Sequence, residues 1–84
     1  MPIDKKVYSI KLTDIAKDTV TNVFESENTN RINFHFQTLK RNEVELKSAN
    51  FIADIDTEED GIIETIGLSA QGFKDALKMF KNLP

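Results

Sequence analysis

Cysteine and tryptophan are both absent from the 84 residues. Without a thiol there is no thiolate nucleophile, no disulfide staple and no cysteine-based zinc site. Secreted domains of this size commonly depend on disulfides, so the absence points to a cytoplasmic protein. Proline occurs only at Pro2 and Pro84, and glycine only at Gly61, Gly67 and Gly72. Turns in the first two thirds must therefore be built by Asn, Asp, Ser and Thr, whose side chains hydrogen-bond nearby backbone. No apolar run exceeds three residues, far short of a membrane span. The opening MPIDKKVYSI puts charges where a signal peptide needs an apolar stretch.

Histidine occurs once, as His35. It lies between Phe34 and Phe36 with no nucleophile motif and no second histidine, so neither a catalytic triad nor a histidine metal pair can form around it. No glycine-rich phosphate loop and no Ser-His-Asp arrangement is present. These absences indicate a protein that is not an enzyme and that holds no cofactor or metal.

Apolar residues make up 39% of the chain and charged residues 30%, the balance of one ordinary globular domain spanning residues 1–84. The net charge is −3, unevenly spread. Between Ser48 and Phe73 lie six acids and no base; elsewhere there are eleven bases and eight acids.

Val7–Leu12 alternates apolar and polar residues and reads as a half-buried strand. Residues 13–18 read as a turn, followed by a strand at about 19–25. The run Thr19-Val20-Thr21-Asn22-Val23 is rich in β-branched residues, which favour strands. An additional helix at about 14–25, capped by Thr13 or Asp14, is the alternative. Glu27–Asn30 reads as a turn and Arg31–Leu39 as a strand, with Ile32, Phe34 and Phe36 on one side and His35 partly exposed on the other. Residues 43–55 read as a long strand whose apolar phase switches, which requires a bulge or bend near Ser48–Asn50. Asp60-Gly61 is a hairpin dipeptide, and Gly61–Leu68 a last strand. Ser69 is placed to cap a helix whose stripe is Phe73, Ala76, Leu77 and Phe80. The expected fold is α+β: an antiparallel meander of four to five strands with one C-terminal helix packed on one face.

Two charged groups are candidate sites. The acidic hairpin Asp54, Asp56, Glu58, Glu59 and Asp60 has no base near it in sequence and would steer a basic protein partner. A calcium loop is excluded there. Asp54, Asp56 and Glu58 begin the alternation correctly, but the sixth position is Glu59 where glycine is needed and the twelfth is Thr65 where glutamate is needed. The basic set Lys40, Arg41, Lys74, Lys78 and Lys81 offers phosphate contacts, too few for strong nucleic-acid affinity. The leading expectation is a non-catalytic protein-interaction module, an accessory, inhibitor or regulatory protein. A nucleic-acid-binding domain using the C-terminal helix and a small-molecule sensor are the alternatives. A homodimer is also expected, because one helix cannot cover a five-stranded sheet and the remaining apolar face needs a partner.

Overall fold

The computed structural model describes residues 6–57 and 61–81, with side chains through residue 78. Its strands are β1 (Tyr8–Asp14), β2 (Thr19–Ser26), β3 (Glu43–Val44), β4 (Phe51–Thr57) and β5 (Gly61–Leu68), and its helices are α1 (Thr29–Lys40) and α2 (Ala70–Lys81). A single 3-10 turn, Leu46–Ser48, lies between β3 and β4. The strands form one antiparallel sheet in the order β2-β1-β4-β5-β3. The α+β class, the antiparallel sheet and the C-terminal helix are as the sequence indicates.

Two like units build this sheet. β1-β2-α1 and β4-β5-α2 are each a hairpin followed by a 12-residue helix, and they meet where β1 and β4 run antiparallel. Ile10 of β1 stands opposite Ile55 of β4. Directly after each of them the register against the outer strand slips by one residue, leaving Val23 of β2 and Ile63 of β5 as the extra residues. No repeat is legible in the sequence, so this likeness lies in backbone order alone.

Strand alternation sends Ile10 and Leu12 of β1, Ala53 and Ile55 of β4, and Ile66 and Leu68 of β5 into one buried layer. Both helices cover that face. Ile32, Phe36 and Leu39 of α1 and Ala76 of α2 complete the core, and Phe73 of α2 packs its ring 4.9 Å from that of Phe51.

The largest correction concerns residues 27–40. The segment expected to be a turn and a strand is a capped helix. Asn28 Oδ1 accepts hydrogen bonds from the backbone N–H of Asn30 (2.9 Å) and Arg31 (3.3 Å), the N-cap arrangement. Ile32 and Phe36 fit both a strand and a helical stripe, so they cannot discriminate. Leu39 and Phe34 can. Leu39 is out of phase with a strand of even positions but on phase with a helix through 32 and 36, and it is fully buried. Phe34, assigned to the core face by the strand reading, is 54% exposed.

The alternative helix at about 14–25 is also overturned. β1 runs to Asp14, a turn follows, and β2 begins at Thr19. Asp14 Oδ1 accepts from Lys17 N at 3.1 Å, and Asp18 takes a left-handed φ of 54°, which Asp tolerates better than most residues. The turn-then-strand reading of this region holds.

The long strand expected over 43–55 is two strands with a crossing between them. β3 pairs with the outer side of β5, whereas β4 pairs with its inner side, so residues 45–50 must pass over the end of β5. They do so at Gly67. A Cβ there would lie 3.0 Å from both Ala49 Cβ and the Val44 carbonyl oxygen. The phase switch therefore has the bend expected near Ser48–Asn50, as the turn Leu46–Ser48 and a bend at Asn50 between two strands, rather than a bulge within one strand.

Candidate interaction surface

The face of the sheet opposite the helices carries Ser9, Lys11 and Thr13 of β1 beside Ile52, Asp54 and Asp56 of β4, by the pairing register and strand alternation. Lys11 stands directly across from Asp54 and reaches diagonally to Asp56, with Nζ 2.8 Å from Oδ2. The sequence places no base near these acids, yet the sheet delivers one from more than forty positions away. The hydrogen bond to Asp56, and then its charge, hold the Lys11 ammonium above its ordinary pKa. Asp54 is half-buried, and its carboxyl is pushed above the ordinary carboxylate range, chiefly by burial and then by Asp56, with Lys11 opposing. A shallow cleft of about 120 Å³ opens beside this cluster, among Ser9, Asn22, Glu25 and Thr57. Asp54 is a strand residue on the open face, as its place in the expected strand implies, and Asp56, expected in the turn, also lies within β4. Glu58, Glu59 and Asp60 lie outside the described residues.

Two apolar residues adjoin these acids. Ile62 pairs with Asp56, and Ile63 is the extra residue of the register slip; they are 63% and 57% exposed. Sequence reasoning passed over them, although a signal was present. Consecutive isoleucines in a strand point to opposite faces, so only one of the two can enter a one-sided core.

The basic candidates are dispersed in role. Lys40, half-buried at the end of α1, forms an ion pair with Glu64 of β5. That hydrogen bond and the Glu64 charge raise its pKa. Arg41 is exposed at the C-cap of α1, and Lys74 and Lys78 are exposed on α2. The Lys81 side chain is outside the described residues.

His35 is not the partly exposed sheet residue expected. It lies on the inner side of α1, 6% exposed, with its ring centroid 3.9 Å from that of Phe24 on β2. Burial, and secondarily the Arg31 charge, lower its pKa. No group of three metal-ligating side chains occurs among the described residues, and no described helix is long and apolar enough to cross a membrane. A second cleft, of about 320 Å³, lies at the other end of the sheet among Ile15, Ala49, Asn50, Phe51 and Ala70. Its surface is mostly apolar. Its two polar side chains are engaged elsewhere: Asn50 Oδ1 accepts from Ala70 N at 3.0 Å at the start of α2, and Asp14 Oδ1 accepts from Lys17 N at 3.1 Å.

No family model, no curated protein and no solved structure matches this chain.

Proposed function

We propose that the chain is a non-catalytic protein-interaction module that engages its partner through the β4–β5 hairpin. The observation that carries this reading is the pair Ile62 and Ile63, exposed side by side on the strand that faces Asp56. Interfaces commonly join an apolar centre to a charged rim, and adjacent exposed isoleucines in a small domain add nothing to its core. Six carboxylates and no base occur between Phe51 and Leu68. Among the described residues two cations, Lys11 and Lys40, pair with them, so the hairpin keeps a net negative charge that steers a basic protein. The expected cytoplasmic setting accords with the absence of cysteine.

The test compares the parent with the double variant Ile62→Ser, Ile63→Ser as baits for affinity capture from the native host. A partner retained by the parent and lost by a variant of unchanged melting temperature supports the reading, with capture weakening as salt rises. Identical retention by parent and variant removes it. The nucleic-acid alternative rests on Lys74 and Lys78, which are exposed. Oligonucleotide binding with a steep salt dependence, lost on replacing both with Gln, would favour that alternative instead.

A further inference from the structure

We infer that the hairpin takes its partner by strand addition: an extended, basic peptide segment pairs along the outer edge of β5. This rests on the reading that the β4–β5 hairpin is the binding surface, and adds how it binds and what it binds. β3 pairs only with Gly67 and Leu68. No strand among the described residues pairs with the outer side of Gly61–Ile66. Those six residues span about 20 Å, the reach of a six-residue strand. An open edge presents backbone N–H and C=O groups that a second strand can satisfy, and natural proteins usually guard it with lysine or proline. Residues 61–66 contain neither; a β-bulge, another such guard, sits at Ile63, so an added strand pairs along the stretches on each side of it. Ile62 and Thr65, which pair with Asp56 and Asp54 and so share the open face, and the exposed Ile63 at the register slip supply side-chain contacts to an added strand.

Charge selects the occupant. The edge belongs to a hairpin with an excess of carboxylates, which attracts lysine- or arginine-bearing segments and repels acidic ones. β2 offers a longer open edge, Thr19–Ser26, but a weaker bias: the turn before it and the strand hold three acids, Asp14, Asp18 and Glu25, against Lys17, whereas the β4–β5 hairpin holds six acids against the paired Lys11 and Lys40. A basic strand therefore prefers β5.

The probe is an acetylated, amidated hexapeptide alternating Lys and Val, with a twin N-methylated at alternate residues. The twin keeps the charges and most of the shape but cannot donate to an edge. The peptide should slow hydrogen exchange at alternate amides within Ile62–Ile66, and the twin should bind about tenfold more weakly, the loss expected for one or more backbone hydrogen bonds. Equal binding by both peptides would overturn strand addition while leaving the acidic surface, and the capture experiment above, intact. Protection at β2 rather than β5, or no binding by either peptide, would also overturn it. So would β5 protection that rises with protein concentration before any peptide is added, since that would identify a second copy of the chain as the occupant.

Discussion

The β1-β2-α1 and β4-β5-α2 units share element order, helix length and the position of the register slip, yet their helices contribute differently. α2 has the sharper apolar stripe in sequence, and α1 the more ambiguous one. The burial runs the other way. α1 sends Ile32, Phe36 and Leu39 into the core, each no more than 1% exposed, whereas among the described side chains of α2 only Ala76 is a fully buried core residue. Phe73 and Leu77 of α2 are half-buried. Clarity of pattern and energetic weight are therefore separate properties. A stripe is clear when polar residues frame it; its weight is the apolar area it removes from water.

The strongest way to break this comparison is to delete one ring from each helix. Phe36→Ala should cost about 3–5 kcal/mol, the usual penalty for emptying a core aromatic site. That is comparable with the whole stability of a domain this small. Phe73→Ala should cost about half as much, since its ring is only partly removed from water. Urea denaturation of both variants decides the order. Equal losses would mean that α2 anchors the fold as firmly as α1.

The second unit has a constraint the first lacks, the crossing over Gly67. A side chain there meets Ala49 and the backbone of Val44. Gly67→Val should destabilise by about 1–3 kcal/mol, as overpacked sites do. The exposed strand position Val20→Gly, in the first unit, should cost under about 1 kcal/mol. A Gly67→Val protein that melts with the parent would show that residues 45–50 shift freely and do not fix β3.

Much of this was legible. The β1 strand, the β2 strand, β5, the Ser69 cap and the C-terminal helix all follow from local pattern. Two elements were not legible, for physical reasons. In α1, Ile32 and Phe36 satisfy periods of 2 and 3.6 together, and Phe34, exposed in the helix, completes a false strand. Asn28 fits a turn in sequence as well as it fits a helix cap, since Asn serves both uses. In residues 43–55 the phase switch was visible, but its cause is tertiary, because only the sheet order shows that the chain must cross β5. For the candidate surface, sequence located the acids but not their neighbours. Lys11 and Lys40 approach Asp56 and Glu64 through sheet pairing and helix packing, neither of which composition encodes.

A finer comparison concerns the two caps. Asn28→Ala should cost about 1 kcal/mol, because its side chain holds two backbone N–H groups of α1. Ser69→Ala should cost less, at the low end of the range of about 0.5–2 kcal/mol. Ser69 Oγ accepts from Gly72 N at 3.0 Å, but Asn50 from the loop before β4 already holds Ala70 N. Thermal melts of both single variants and of Asn50→Ala would sharpen the point. If Ser69→Ala proves the costlier, the Asn50 contact does not support α2.

The smallest expected effect is also the one that separates the two units by sign. His35 belongs to the first unit, and burial lowers its pKa from the ordinary 6.5. The unfolded chain then binds the proton more readily than the folded one. The stability that His35 allows is full above 6.5 and is lost as pH falls through 6.5 towards the lower folded value. Asp54 belongs to the second unit, and burial, assisted by Asp56, raises its pKa from the ordinary 3.8. Here the folded chain binds the proton more readily. The charged Asp54 therefore costs stability at neutral pH, and the cost disappears as pH falls through the raised folded value towards 3.8. His35→Gln should flatten the fall in melting temperature below pH 6.5. Asp54→Asn should raise the melting temperature slightly at pH 7 and leave it unchanged once the pH is below 3.8. The difference between each variant and the parent, followed across pH by calorimetry, isolates each group from the other carboxylates. A loss of stability on Asp54→Asn at pH 7 would mean that the attraction of Lys11 outweighs burial. The open face of the sheet would then be held together by its charges rather than strained by them.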